Sequence, residues 1–586
     1  MKNIYSKIAF CIIGIVLVQY RFSYSTFGGG NTLKITTWDA LGYYMYLPAT
    51  FIYHDATELK WFPEIDKKYS VSGGWVYQAN KYKNGKYVFK YLGGVAILET
   101  PFFLAGHFIA KASHYEADGF SPPYQYAIAF GDIFYCILSL FFLMKILLRY
   151  FSDRTTAITL LLVMLATNII QYVAIDSAQS HGWIFPLYVF ILYFTIKWHE
   201  KPKLVFACVI GYIIGLSAIC RPTEAIMLFI PLFWGTQTKE SAKEKWALVK
   251  QHKKHIWYAL FFCFLGVLPQ LIYWQIATGF FVYDVGSKWQ FLNPFFSVLF
   301  GFESGWFIYT PVTIFFIVGM FFMSKRTLLG KPYPFNKAVL WYCLLTIYVI
   351  ISWFDGNPDS TYSCRRFSEM LPVFSLPMAA YIQYLHAKKW RFVFYILGLY
   401  FIGVNIFQLW QYNKSILHDT DMNMAYYSHI YLNPHPTPLD MSLLDTNDYL
   451  SNESIYKMDI IAHIDTAMHL QANPNSPLLL YSLTLTDSIN KSITDEWLKI
   501  EAEIKTTKGY WNTYLRSEIQ EGNVIKQNKV RLFSPISWDG GNNKYAFYVK
   551  VPNCSVKNIL RLKIFSKNEF EGVMNSLKVS LLKKGN

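Results

Sequence analysis

Hydrophobic positions run in long uninterrupted stretches through the first 410 residues of this chain, and in short alternating stretches after residue 475. A helix needs about 20 apolar residues to cross ~30 Å of hydrocarbon. Eleven stretches approach that length: 4–22, 124–148, 155–174, 182–197, 203–219, 223–235, 256–278, 306–324, 338–353, 367–386 and 392–410. Each predicts a membrane-spanning helix, the sixth being short. One more apolar stretch, 91–110, is long enough to span but carries Glu99, Pro101 and His107. After residue 475 the period changes. Segments 497–504, 529–532, 545–551, 559–565 and 577–581 are β-rich or alternate with period two between turns such as 539–542, which predicts a sandwich of strands.

Charge fixes how the apolar runs thread the membrane. Basic residues cluster between them, at Lys145/Arg149/Arg154, Lys197/Lys201/Lys203, 239–254, Lys325/Arg326/Lys331 and Lys388/Lys389/Arg391. If 91–110 crossed, every later cluster would fall outside. With that stretch in the interface or re-entering on the outer side, the N-terminus and all clusters are cytoplasmic, and the chain after Trp410 is outside. The first stretch follows Lys2 and has Lys7 within it, but no small-x-small cleavage site follows, so it reads as a retained anchor.

Composition agrees with this picture. Of 586 residues 53% are hydrophobic and only 16% charged, against ~25% in soluble proteins. The mean hydropathy is +0.22. A net charge of +16 raises nucleic acid as a partner, but the basic residues form no single stripe, and topology explains them. Eight cysteines show neither a CxxC nor a Cys/His spacing suited to zinc. The expected fold class is therefore a polytopic α-helical membrane protein of about eleven transmembrane helices, with a C-terminal all-β, sandwich-like extracytoplasmic domain. The expected boundaries are 1–410 for the membrane domain with a long first outer loop 23–123, 411–475 for a connecting region, and 476–586 for the outer domain.

The outer side collects residues fit for chemistry on a lipid-borne substrate. Asp39 stands just past the first span, in Trp38-Asp39-Ala40-Leu41-Gly42-Tyr43-Tyr44. A carboxylate there is a candidate general base; a helix N-cap or a solvated loop acid is the alternative. Lys90 is a candidate phosphate ligand or a snorkelling anchor. Arg221, ending a span against the charge rule, fits an anionic headgroup or a pair with Glu224. Arg365 and Arg366 can clamp a phosphate by forked hydrogen bonds or pair with Asp355 and Asp359. His181 is a candidate phosphate ligand, proton relay or structural histidine. Tyr43 and Tyr44 are candidates for stacking on a sugar, and Glu303, in the glycine-flanked 301–305, for touching the acceptor.

The series Asp39-x-x-Gly42-Tyr43-Tyr44-x-Tyr46-Leu47-Pro48, Lys90-Tyr91-x-x-Gly94, Pro101-Phe102, Ser180-His181, Arg221-Pro222 and Arg365-Arg366-Phe367 resembles the GT-C superfamily of membrane glycosyltransferases, of the protein-mannosyltransferase and aminoarabinose-transferase type. The resemblance covers about residues 1–410. It implies an inverting transfer of sugar from a polyprenyl phosphate or diphosphate to a glycan, lipid or protein acceptor, in a bacterial inner membrane with the C-terminal domain periplasmic. On that resemblance Asp39 is the base, and Lys90, Arg221, Arg365 and Arg366 face the phosphate. Many members carry two neighbouring acids at the first motif, whereas Trp38 and Ala40 flank Asp39 here. A lone carboxylate holds a divalent ion poorly, which weakens the expectation of a metal. Two other classes remain open: a transporter or flippase for a lipid-linked glycan, and a non-catalytic scaffold whose β-domain binds glycan.

Overall fold

The computed structural model describes residues 3–24, 33–286, 289–325, 327–328, 331–353, 361–474, 476–485, 496–521, 523–532, 542–552 and 558–584. The chain divides into two units, 1–409 and 410–586. Each has its own core.

The first unit is helical. Five helices of the described residues are long and apolar enough to cross a membrane: Ile4–Ser23, Gly94–Ala112, Pro122–Tyr150, Lys253–Thr278 and Arg391–Asn413. Ser180–Glu200, Leu204–Cys220, Asn336–Ile351 and Leu371–His386 add further helices. Several expected spans are broken rather than continuous, so the count of about eleven is not reproduced as eleven uninterrupted helices. The stretch 223–235 is a 3-10 helix, Pro222–Leu228, followed by the short helix Phe229–Phe233. The stretch 306–324 divides at Pro311, and 367–386 begins as the 3-10 helix Arg365–Met370 ahead of Pro372. Proline lacks the N–H a continuing helix needs, and in the latter two stretches the break falls where Pro311 or Pro372 opens the next turn. The stretch 155–174 stops at Leu165 for another reason. Asn405 Nδ2 donates to the Leu165 and Thr167 carbonyls at 2.8 and 2.9 Å, and Thr167 Oγ1 donates to the Val163 carbonyl. Side chains thus take over the orphaned carbonyls of the helix end, and a π turn, Gln171–Ile175, follows.

Contacts sort the helix ends onto two faces. Asp153 accepts from the Tyr5 and Ser6 amides at 3.0 Å, Gln383 Oε1 accepts from the Ser152 amide, and Arg149 pairs with Glu200. The start of the first helix and the turns at or beside three of the basic clusters therefore share one end. At the opposite end, a Cβ on Gly94 would lie 2.4 Å from the Cys220 amide, and one on Gly106 3.0 Å from Tyr124 Cα. Two points on Gly94–Ala112 thus meet the same end of the bundle.

The second unit is all-β beyond its first turns. A four-stranded sheet runs Asn523–Arg531, Thr513–Glu521, Ile559–Ser566, Leu478–Thr484; the other runs Asn542–Lys550, Glu496–Lys508, Phe570–Lys584, Tyr456–Ile464, with Met468–Ala472 also pairing along Phe570–Lys584. All neighbours are antiparallel. Alternate residues Ile500, Ala502 and Ile504 from one sheet, and Leu560, Leu562 and Ile564 from the other, share one core. The structure departs from the expected connecting region 411–475. That stretch holds helices Met424–Ile430 and Pro438–Ser442 and two strands of the second sheet. Tyr456–Ile464 is an edge strand with Ala462 its one buried position, so its sequence lacks the alternation of a strand with a buried face.

Candidate active site

Asp39 lies in the first turn of the helix Trp38–Tyr44. Its carboxylate caps nothing. Oδ1 accepts from Tyr91 Oη at 2.6 Å and Tyr77 Oη at 3.0 Å, and Oδ2 pairs with Arg365 Nη2 at 3.0 Å. Trp38 is held at φ 50°, in the sparsely populated left-handed region, by its amide on the Val71 carbonyl and its carbonyl on Gln78 Nε2. Gly42 explains how Tyr91 reaches the acid. A Cβ at Gly42 would stand 2.0 Å from the Tyr91 ring, so only glycine lets that ring cross the helix. A short hairpin, Ala79–Lys81 with Tyr87–Phe89, sets Lys90 and Tyr91 beside Asp39, and Lys90 Nζ lies 4.6 Å from the centre of the Tyr77 ring. Burial, and then the neighbouring Asp39 charge, pushes the Tyr91 phenol far up; burial also raises Tyr77 and Tyr43. Tyr77 and Tyr91 therefore stay protonated and keep donating to Asp39.

A second network closes the floor. Glu369, fully buried, accepts from Arg221 Nη1 at 2.7 Å and meets His181 Nδ1 at 2.6 Å. Arg221 ends the helix Leu204–Cys220, and His181 begins Ser180–Glu200. Arg221 therefore pairs with Glu369, not with Glu224 as one sequence alternative had it. Glu224 accepts instead from Tyr188 Oη at 2.5 Å and Thr223 Oγ1 at 2.9 Å. The Arg366 guanidinium lies 5.1 Å from the centre of the Trp353 ring.

These groups border one cavity of about 280 Å³, lined by Asp39, Tyr43, Lys90, His181, Arg221, Arg365 and Arg366 together with Tyr77, Tyr91, Gln179, Thr223 and Trp353. Two sequence candidates lie elsewhere. Tyr44 is fully buried and turns its hydroxyl onto the Gly119 carbonyl, away from the cavity, which corrects its expected contact with sugar. Adjacent helical residues point about 100° apart, and here that turns Tyr43 to the cavity and Tyr44 away from it. Glu303 is also absent from the lining. Asp355 and Asp359, offered as partners of the arginine pair, lie outside the described residues. Sequence reasoning missed Glu369, Tyr77, Tyr91 and Trp353. Glu369 shares the 3-10 turn of Arg365 and Arg366, which is the nearest signal the sequence carried.

Four cationic side chains and one carboxylate line the cavity, so it attracts an anion. A divalent ion fits poorly, because Asp39 already faces a guanidinium, and no group of three metal-ligating side chains occurs among the described residues.

No protein-family model and no curated protein matches the sequence. Among solved structures, the chain is similar to the oligosaccharyltransferase AglB of Archaeoglobus fulgidus in complex with an inhibitory peptide and a dolichol-phosphate, at 14% identity and a TM-score of 0.41, over 77% of this chain and 61% of that one. It is also similar to arabinosyltransferase EmbB of Mycobacterium smegmatis, at 10% identity and a TM-score of 0.38, over 96% of this chain and 64% of that one. The chain spans less than two thirds of each matched chain's length.

Proposed function

We propose that this protein is a membrane glycosyltransferase that moves a sugar from a polyprenyl-phosphate or diphosphate donor to an acceptor hydroxyl at the outer face of the membrane, with inversion. The observation that carries the reading is one cavity in which a single carboxylate faces Lys90, Arg221, Arg365 and Arg366. Phosphate oxygens would take the guanidinium and ammonium donors, whose charge stabilises the leaving group. Asp39 would take the acceptor's hydroxyl proton as the oxygen attacks the anomeric carbon. The new C–O bond forms while the bond from that carbon to the phosphate oxygen breaks, and the electron pair leaves with the lipid phosphate. Glu369 holds Arg221 and His181 in place, and Tyr43 offers an aromatic wall for the sugar. The end of the bundle bearing the basic turns is read as cytoplasmic, so the cavity and the β-unit face the periplasm of a bacterial inner membrane.

Asp39→Asn keeps the shape and removes the base. In membranes holding folded protein, transfer of labelled sugar from a polyprenyl-phosphate donor is expected to fall by roughly 100-fold or more. Undiminished transfer would sink the mechanism. A transporter would keep its flux in the same variant and show no transfer in either protein.

A further inference from the structure

A second cavity, of about 320 Å³, lies at the far end of the same helices and has no part in the chemistry proposed above. The helix Leu204–Cys220 connects the two. Cys220 lines the Asp39 cavity and Ala207 the second one, 13 residues apart and hence about 20 Å along the axis. Its walls include Ile210, Ile214, Leu232, Val249 and Leu260. One side is the helix Lys239–Gln251, which starts with a capping box between Thr238 and Ser241 and so closes its own N-terminus.

That helix packs against the protein in an unusual way. Lys245 is its one buried residue, while Trp246 is 47% exposed although it borders the cavity. Its apolar side therefore faces the cavity without filling it. Lys245, 6% exposed, spends its ammonium on the Pro231 and Leu232 carbonyls, and among the described residues no carboxylate lies within 4.0 Å of it. A buried cation in an apolar wall, with no acid beside it, calls for an anion from elsewhere. The surrounding charge points the same way. Residues 239–254 carry lysines at 239, 243, 245, 250, 253 and 254 against Glu240 and Glu244, and Trp257, 71% exposed, follows at once. Amphipathic helices of this kind lie in the interface, with aromatic side chains at the headgroup level and lysines reaching anionic headgroups.

We propose that this cavity is a binding site for one anionic phospholipid of the bilayer. An acyl chain fills the space under Lys239–Gln251, and the phosphate sits among its lysines. The site lies in the leaflet opposite the Asp39 cavity and is independent of the transfer reaction.

The test uses the full chain, purified and exchanged into micelles containing equal amounts of dioleoyl phosphatidylglycerol and dioleoyl phosphatidylcholine, with bound lipid counted by native mass spectrometry. One phosphatidylglycerol should be retained in preference to phosphatidylcholine by about tenfold, the size expected of one to two lysine contacts. Ile214→Trp, which fills the cavity, should remove the retained lipid. Lys243→Glu with Lys250→Glu, both exposed in the structure, should abolish the preference, while Lys388→Glu with Lys389→Glu should leave it unchanged. Equal retention of both lipids by the unaltered protein, or the same retained phosphatidylglycerol in the first two variants, would overturn the site. Thermal unfolding of each variant separates loss of lipid from loss of fold.

Discussion

Asp39 shares its two oxygens among three donors, and one of them reaches it by a local accommodation. Tyr91 depends on Gly42, whose missing Cβ leaves room for the ring. Gly42→Ala should therefore displace Tyr91 at a stability cost of roughly 1–3 kcal/mol. Sugar transfer is expected to drop by more than that destabilisation explains, and Tyr91→Phe should reproduce the drop while leaving the melting temperature nearly unchanged. Paired activity and unfolding measurements on both variants check this. At this scale the sequence was legible where a residue broke a rule. Arg221, Arg365 and Arg366 stood out because they oppose the charge bias, and Asp39 because it follows the first span. Glu369 broke one too, as a carboxylate within the expected span 367–386, but its partners Arg221 and His181 are far off in sequence and only the folded chain brings them to it. Tyr43 and Tyr44 were indistinguishable in sequence because helical rotation alone sends one to the cavity and the other to Gly119.

Elements reveal a different limit. Hydropathy located the helices well but not their interruptions, because an apolar run reads the same whether its backbone bonds are continuous or handed to a side chain. Asn405 is the clearest instance. Its amide serves the Leu165 and Thr167 carbonyls and its oxygen accepts from Tyr362 Oη at 2.8 Å, all away from water. Asn405→Leu keeps the volume and strands two carbonyls, each worth about 1–3 kcal/mol when buried unpaired, while Tyr362 Oη keeps Gln408 Oε1 at 3.4 Å. A loss of roughly 2 kcal/mol or more is expected in denaturant unfolding of the purified chain. A loss near zero would show that the helix end finds other partners. In the β-unit the alternating strands Glu496–Lys508 and Ile559–Ser566 were legible by period, while the edge strand Tyr456–Ile464 was not.

Across the whole molecule, composition and charge were enough for the class, a helical membrane unit followed by a β-unit. What they left out is how the second unit is anchored within itself. Arg531 makes paired bonds to Asp445 between 2.7 and 3.0 Å and reaches Asp421, with His418 at 3.5 Å. Burial, opposed by Asp419 and reinforced by Arg531, lowers the pKa of His418 below its usual 6.5. The folded unit thus resists a proton that the unfolded chain accepts. The stability His418 contributes is full above about pH 6.5 and declines as pH falls from there through the lower folded value. Melting temperatures between pH 8 and pH 5 should fall more steeply for the unaltered protein than for His418→Gln. Parallel slopes would assign the acid sensitivity to other groups.

The bond between Arg365 and Asp39 carries a kinetic consequence. A carboxylate oxygen already accepting from a guanidinium is occupied, and a guanidinium so engaged has fewer donors left for a phosphate. The arrival of one substrate must undo this mutual neutralisation, and the phosphate-bearing one, as the stronger anion, is suited to draw Arg365 away. The reaction should then follow a compulsory sequence. Initial-rate patterns with both substrates varied, together with inhibition by a polyprenyl phosphate lacking sugar, should report donor first and acceptor second. Arg365→Gln should relax that sequence toward random addition.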